Sequence, residues 1–148
     1  MLVGESMGGL NALILGLTQH ALFAKVAALC PAVYVDSPFS SFATLKAGAE
    51  RTGASPKIIF GLVQLAKTHL ADETEWNRSS PLKLIESAGA HFPDLYLSCG
   101  LYDAYGNFEG TQRLAKRATQ LGVTVEWHPI YGGHCATDVA SVGNFLVR

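Results

Sequence analysis

The feature that most constrains this chain is the segment Gly4-Glu5-Ser6-Met7-Gly8-Gly9, which holds a serine in a glycine-rich turn. Only Met1, Leu2 and Val3 precede the turn, and they form the stub of a β-strand, since strands usually have about five or six residues. A tightly packed helical pattern, apolar nearly all round, follows from Asn11 to Leu17. A strand, a sharp turn and a helix in this order predict the first unit of an α/β domain.

Apolar runs and helical patterns alternate along the rest of the chain. Strands are predicted over 25–29, 94–99 and 123–127, and helices from Pro56, from Pro81 to Gly89, over 111–121 and over 138–147. Such alternation is typical of a parallel sheet flanked by helices. The strand over 123–127 has one wetter face and is predicted near a sheet edge. We therefore expect one domain over residues 1–148, with residues 36–80 as a helical, lid-like insertion.

Composition limits the classes of function. The chain has 148 residues, of which 49% are hydrophobic and 16% charged, and its net charge is −1 without a basic run. This balance argues against nucleic acid or a membrane surface as a partner. Three widely spaced cysteines without a C-x-x-C pair predict reduced thiols, no metal site and a cytoplasmic location, with a Cys99–Cys135 disulfide as the minority alternative. The apolar run over 10–17 is too short to span a bilayer and has no basic segment before it.

The chemistry-bearing residues follow the ends of predicted strands. Ser6 lies in a G-x-S-x-G turn, in which Gly4 and Gly8 are expected to make room for a serine on a strained strand-to-helix corner. Asp103 follows the strand over 94–99, and His134 lies in a Gly-Gly-His loop after the last strand. A serine needs a base to take its proton, and the base needs a group that orients it. The order serine, acid, histidine predicts a catalytic triad at the carboxyl edge of the sheet.

Other interpretations of these residues remain open at the sequence level. Asp103 suits a turn, in which case Glu109 is the best substitute acid, because it shares the loop. His134 is also compatible with an ordinary loop histidine, and Cys135 beside it is more typical of a small buried residue than of a nucleophile. Asp94 precedes its strand and so lies at the wrong end, while Asp138 suits the N-cap of the last helix.

Four stretches make the chain resemble a known family. They are GESMGG at 4–9, SPLKLIESAG at 80–89, LYLSCGLYDAYG at 95–106 and YGGHCATD at 131–138. The chain resembles the esterase branch of the α/β-hydrolase superfamily, which contains esterase D-like and S-formylglutathione hydrolase-like enzymes. The resemblance implies Ser6 as nucleophile, Asp103 as orienting acid and His134 as general base, with the backbone N–H of Met7 as an oxyanion donor. It implies no cofactor and a small-molecule ester or thioester as substrate.

The resemblance covers only the second half of the family's fold, beginning at the strand that delivers the nucleophile. Family members have several strands before the elbow, and they include the loop that supplies the other oxyanion donor. We therefore expect a partial α/β-hydrolase fold with four adjacent strands, with the first exposed at one edge, where a second copy could pair. Losing one oxyanion donor costs about 10²–10³ in rate, so weak activity is expected. The rival hypothesis is a non-catalytic half-domain that associates through this edge.

Aromatic residues near the predicted strand ends are candidates for pocket walls. Trp76, Tyr102, Tyr105 and Tyr131 are expected to line a pocket or to pack beside it. By analogy with lids, the insertion would bring Phe39, Phe42 and Phe60 to the substrate. The four remaining histidines, His20, His69, His91 and His128, lack metal-ligand spacing.

Overall fold

The structure is a computed structural model that describes residues 1–87 and 92–148. The predicted helix end at Gly89 and the histidine at position 91 lie outside the described residues.

One sheet of four parallel strands organises the described residues, in the order β1-β2-β3-β4. The strands are β1 (Leu2–Glu5), β2 (Lys25–Leu29), β3 (Asp94–Gly100) and β4 (Val125–Ile130). The short β1 and the half-exposed β4 lie at the two edges, as predicted. Because all strands are parallel, their carboxyl ends meet at one side of the sheet, where sites in such folds are built.

Helices flank this sheet, so the predicted fold class is confirmed. In the described part of the chain they are α1 (Met7–Thr18), α2 (Phe42–Thr52), α3 (Pro56–His69), α4 (Glu73–Ser79), α5 (Pro81–Leu84), α6 (Asn107–Gln120) and α7 (Val139–Val147). None of the helices in residues 1–87 and 92–148 combines the length and the apolarity that crossing a membrane requires.

Alternation of side chains along the central strands creates two cores. Val26 and Ala28 of β2 belong to the larger core, which packs against α1 and α6, whereas Ala27 faces the opposite side. Tyr96 of β3 also faces that opposite side, where α7 covers it with Phe145. Successive strand residues point to opposite faces, so both faces of β2 and β3 must be apolar, as in a sheet covered on two sides.

Several element boundaries differ from the predicted ones. Helix α1 begins at Met7, directly after the turn and four residues before the predicted start. Its apolar pattern suggested burial on all sides, but Leu15 is 47% exposed. Helix α6 begins at Asn107, after Gly106 in the left-handed conformation with φ 77°. Strand β4 runs over 125–130 instead of 123–127, because it pairs in register with β3 up to Gly100.

The insertion over residues 36–80 contains three helices with clear start signals. Ser41 accepts a hydrogen bond from the backbone N–H of Thr44 at 3.2 Å, and Asp72 accepts one from Glu75 at 2.9 Å. Helix α3 begins at Pro56, as predicted, but the hydroxyl of the preceding serine makes no capping bond. No residue of α3 is buried, although half of its residues are isoleucine, leucine, valine, phenylalanine or alanine. The insertion therefore has one helix whose apolar face is incompletely packed.

Candidate active site

Ser6 occupies a strained corner between β1 and α1. Its φ of 53° and ψ of −118° lie in a region that residues with side chains rarely adopt. The backbone around it is tied to the end of β2, because the N–H of Ser6 donates to the carbonyl of Leu29 at 2.9 Å. The N–H of Ala32 donates to the carbonyl of Ser6 at 3.2 Å. These bonds hold the serine at the carboxyl edge of the sheet.

The glycines of the turn have different roles from those expected. A Cβ atom on Gly4 would collide with the backbone carbonyl of Gly8, so only glycine fits at position 4. A Cβ on Gly8 itself would meet no atom within 4 Å, and the prediction that Gly8 is needed for space is therefore wrong. Gly9 is the crowded position on the helix side, with Gly4 and Leu29 carbonyl oxygens 3.1 and 3.2 Å from its ideal Cβ.

His134 reaches Ser6 from a loop that crosses the end of the sheet. The distance between Ser6 Oγ and His134 Nε2 is 3.0 Å, within hydrogen-bond range. The loop begins after β4 and is fixed to the end of β3, where the N–H of Tyr102 donates to the Gly132 carbonyl at 3.0 Å. A Cβ on Gly100 would collide with the Gly133 carbonyl, so the close crossing depends on a glycine in β3.

Asp103 completes a chain of hydrogen bonds with these two residues. Its Oδ2 lies 2.9 Å from His134 Nδ1, and its Oδ1 accepts the backbone N–H of Tyr105 at 2.7 Å. The Asp103 side chain is fully buried. A carboxylate only accepts, so Nδ1 of His134 carries a proton, and Nε2 is left to accept the Ser6 hydroxyl proton. Asp103 thus also orders the turn, and the two interpretations of this residue are compatible.

Glu109, the substitute acid, is engaged elsewhere. Its carboxylate lies 2.9 Å from Arg51 Nε and 2.6 Å from Arg113 Nη2. Arg51 also contacts Asp36 at 3.0 Å, and these hydrogen bonds raise the pKa of the Arg51 guanidinium. The structure therefore brings Asp103, and not Glu109, to the histidine.

Neutral groups surround the Asp103 carboxylate. Cys99 donates its thiol hydrogen to Asp103 Oδ2 at 3.5 Å, and burial together with that carboxylate raises the pKa of Cys99. Burial and Asp103 also raise the pKa of Tyr34. Both groups therefore stay protonated and uncharged near neutral pH. The ring of Tyr105 packs on His134 with centroids 4.2 Å apart.

Met7 is the first residue of α1. The first N–H groups of a helix have no carbonyl partner within the helix, and its N-terminus carries partial positive charge. The backbone N–H beside Ser6 is thus suited to an anionic oxygen, as the sequence predicts for this position.

The prediction of reduced thiols at Cys30 and Cys135 is wrong, because a disulfide joins these residues, with Cα atoms 5.0 Å apart. The free cysteine is Cys99, buried against Asp103, so the Cys99–Cys135 alternative is also wrong. The reason is geometric: to reach Ser6, the loop must carry His134 past β3 to the end of β2, where Cys30 lies. The sulfurs of Cys30 and Cys135 and a His134 ring nitrogen lie within 4.8 Å of one another. Metals bind thiolates, however, and these sulfurs are bonded to each other.

A cavity of about 500 Å³ lies beside the elbow, and we call it the insertion cavity. It is bounded by the start of α1, the loop after β2, the insertion helices and the start of α6. Its apolar walls include Met7, Leu10, Ala32, Leu45, Ile59, Leu62, Val63, Ala66, Leu70 and Trp76. The expectation for Trp76 is thus confirmed. Tyr102 and Tyr131 are instead exposed and contact each other edge to face, and Tyr105 packs on the histidine.

None of the three phenylalanines of the insertion lines this cavity, and their contact with substrate stays a prediction. Phe42 stacks on Phe60 with ring centroids 5.1 Å apart, and Phe42 is 67% exposed. Phe39 lies under the ammonium group of Lys67. Helical and loop patterns did not reveal which face of the insertion would turn toward the elbow.

A parallel sheet with a serine on a strained strand-to-helix turn defines an α/β-hydrolase architecture. Comparison with protein families agrees, because the model of the esterase family, described as "Putative esterase", matches residues 1–138. The chain therefore belongs to this esterase family of the α/β-hydrolase superfamily. No curated protein matches the sequence at a significant level.

Several solved structures with the same fold are described as esterases. An esterase from Pyrococcus furiosus is 22% identical to this chain, with a TM-score of 0.63. The superposition covers 99% of this chain and 52% of the Pyrococcus furiosus esterase. Esterase B from Lactobacillus Rhamnosis is 19% identical with a TM-score of 0.62, covering 99% and 49%. Carboxyl esterase 2 from Tuber melanosporum is 14% identical with a TM-score of 0.66, covering 98% and 50%. The chain thus spans about half the length of these relatives.

Proposed function

We propose that the chain is a serine hydrolase of carboxylic esters or thioesters, with Ser6 as nucleophile, His134 as general base and Asp103 as orienting acid. One observation carries the proposal: the hydrogen-bonded series Ser6 Oγ, His134 Nε2, His134 Nδ1 and Asp103 Oδ2, with successive contacts of 3.0 and 2.9 Å. Membership of the esterase family supports ester hydrolysis as the activity.

In the acylation step, Ser6 Oγ attacks the carbonyl carbon of the ester while His134 Nε2 takes its proton. The carbonyl oxygen becomes an oxyanion, which the N–H of Met7 and the positive end of α1 stabilise. The tetrahedral intermediate then collapses, and His134 gives its proton to the departing oxygen or sulfur. The acyl group remains bonded to Ser6.

In the deacylation step, water replaces the alcohol or thiol. His134 takes a proton from the water as its oxygen attacks the acyl carbon. The second tetrahedral intermediate releases the carboxylic acid, and the proton returns to Ser6 Oγ. Buried Asp103 stabilises the imidazolium in both steps and fixes the tautomer.

Activity of the 148-residue chain is expected to be low. The chain spans about half the length of the esterases with the same fold, and the loss of one oxyanion donor costs about 10²–10³ in rate. The cytoplasmic location stays a prediction, and the Cys30–Cys135 disulfide weakens it, since disulfides are rare in the cytosol.

The alternative function is that of a non-catalytic half-domain that associates through its sheet edge. The supporting observation is that β1 pairs with β2 on one side, while its other side has no strand among the described residues. An unpaired edge of this kind invites pairing with a second copy.

Labelling with a fluorophosphonate probe tests the main proposal, because the probe reacts with a serine that a neighbouring base has activated. We expect the purified chain to be labelled and both Ser6→Ala and His134→Ala to stay unlabelled. Circular dichroism on all three proteins controls for folding. A folded wild-type chain that resists the probe would favour the non-catalytic alternative.

A further inference from the structure

We infer that the insertion cavity binds the acyl chain of the substrate, so that the preferred substrates are esters or thioesters of apolar acids with chains much longer than acetate. This inference rests on the proposed function, since it assigns the substrate class of the same site. It is carried by the position, the lining, the charges and the size of the cavity.

The cavity begins at the nucleophile turn. Met7, the neighbour of Ser6, lines it, and Leu10 continues the wall one turn further along α1. Ala32 lines it as well, and its backbone N–H donates to the Ser6 carbonyl. Met7 and Ala32 therefore place an apolar space next to the turn that holds Ser6.

Another part of the cavity wall is an apolar face of α3 that no other part of the described chain buries. Ile59, Leu62, Val63 and Ala66 of α3 line the cavity, and none of them is buried. A contiguous apolar face beside a cavity gains free energy when an apolar ligand removes it from water. The chemistry of this wall suits a hydrocarbon chain.

Three of the five ionisable groups in the wall of the cavity are paired with one another. Asp36 and Glu109 both bind Arg51, at 3.0 and 2.9 Å, so the charges of these three residues are mutually engaged. Of the other described residues that line the cavity, Tyr34 and His69 are ionisable, and the raised pKa of Tyr34 keeps it neutral. His69 is exposed at the end of α3. An acyl group with a terminal charge would lose its hydration among the apolar lining residues, and the groups paired with Arg51 would not compensate for that loss.

The acyl group, and not the alcohol, is the part that such a cavity should hold. In the proposed mechanism the alcohol leaves after acylation, whereas the acyl group stays bonded to Ser6 until water attacks. Contacts between the cavity and the acyl group therefore act in both steps of the reaction.

The cavity is also large enough for a long acyl chain. Its volume of about 500 Å³ exceeds the roughly 150 Å³ of an engineered cavity that holds the six carbons of benzene.

Two sets of ligands test the inference on the 148-residue chain. The first is hydrolysis of p-nitrophenyl acetate, butyrate, octanoate and decanoate, with hexyl and decyl acetate as the alcohol series. The second is binding of decanoic acid to Ser6→Ala by calorimetry, which needs no catalysis. Ala66→Trp fills the cavity, and Ala47→Trp on the exposed face of α2 is the matched control, since Ala47 does not line it.

We expect kcat/KM to rise with acyl length by up to about fourfold per methylene, the equivalent of its transfer free energy, and to be insensitive to alcohol length. Ala66→Trp should remove this rise, and in the Ser6→Ala background it should weaken decanoate binding at least tenfold. Ala47→Trp should change neither.

Acetate turnover without a chain-length preference, together with no decanoate binding, would overturn the inference and leave the hydrolase proposal standing. A rate that follows alcohol length would overturn it too. Decanoate binding that Ala66→Trp weakens, in a chain that hydrolyses no ester, would uphold the binding site and refute the hydrolase proposal.

Discussion

Asp103 serves two neighbours at once, the histidine ring through Oδ2 and the backbone of Tyr105 through Oδ1. Replacing it by asparagine keeps the shape but puts an amide where His134 needs a pure acceptor, which permits the wrong tautomer. We predict that Asp103→Asn lowers kcat for p-nitrophenyl acetate on the order of 10³–10⁴-fold, with KM little changed.

Asp94→Asn is the matched control for this prediction. Asp94 is the first residue of β3, and Asp103 follows the carboxyl end of that strand, so the two carboxylates lie at opposite ends of the sheet. It should leave kcat within about twofold of the wild type, since surface changes away from the site have small effects. A similar loss in both variants, or a few-fold loss in Asp103→Asn, would contradict the role given to Asp103.

The disulfide between Cys30 and Cys135 closes a sequence separation of 105 residues. Cross-linking such distant positions restricts the unfolded chain, which is worth about 2–4 kcal/mol in typical cases. We predict that the double variant Cys30→Ser, Cys135→Ser loses this amount of unfolding free energy in urea titrations. Dithiothreitol should lower wild-type stability equally and leave the double variant unchanged. Equal stability of the oxidised and reduced wild type would refute the prediction.

At the scale of elements, the strand-turn-helix unit depends on one glycine more than on its neighbour. A methyl group on Gly4 collides with the backbone of Gly8, while a methyl group on Gly8 meets open space. We predict that Gly4→Ala lowers the free energy of unfolding by about 2 kcal/mol or more, since the elbow must shift. Gly8→Ala should be neutral or slightly stabilising, because alanine favours a helix.

Urea denaturation of these two variants measures the difference directly. Both variants add one methyl group in the same turn, but only the methyl group at position 4 collides with the backbone. The difference between the two variants therefore isolates the effect of the collision. A Gly4→Ala protein as stable as Gly8→Ala would show that the turn is looser than described.

Sequence patterns located the elements better than their ends. The predicted strand over 25–29 matches β2 residue for residue. Its short apolar run ends at Cys30-Pro31, so both the strand and its end are visible in the sequence. The start of α1 was missed by four residues, since Gly8 and Gly9 have low helix propensity and tertiary contacts at the elbow override it. The end of β4 was missed by three residues because its pairing with β3, which continues to Gly100, leaves no local pattern in the sequence.

The candidate site was predictable where chain order alone determines proximity. Parallel strands bring their carboxyl ends together, so Ser6, Asp103 and His134 were expected to meet, and the structure brings them together. The partner of Cys135 was not predictable from spacing, because it depends on how far the histidine loop crosses the sheet. The same holds for the insertion cavity, since neither the orientation of α3 nor the pairing of Arg51 leaves a local pattern.

At the scale of the whole molecule, β1 is an edge strand, and on the side away from β2 it has no neighbouring strand among the described residues. This edge is the candidate surface for self-association. Val3 in this edge strand is 53% exposed, and charged residues in edge strands block strand pairing. We predict a concentration-dependent dimer in sedimentation velocity and its loss in Val3→Lys. Val139→Lys, on a residue of α7 that is 77% exposed, is the matched control. A wild-type chain that is monomeric at every concentration would contradict self-association through this edge.

In the proposed reaction, Ser6 carries the acyl group between the two steps. Mass spectrometry of the chain after brief exposure to p-nitrophenyl acetate, followed by peptide mapping, detects this intermediate. We expect one acetyl group on Ser6, absent in Ser6→Ala and in His134→Ala. Hydrolysis of the ester that continues in Ser6→Ala, or acetylation that maps to another residue, would contradict it.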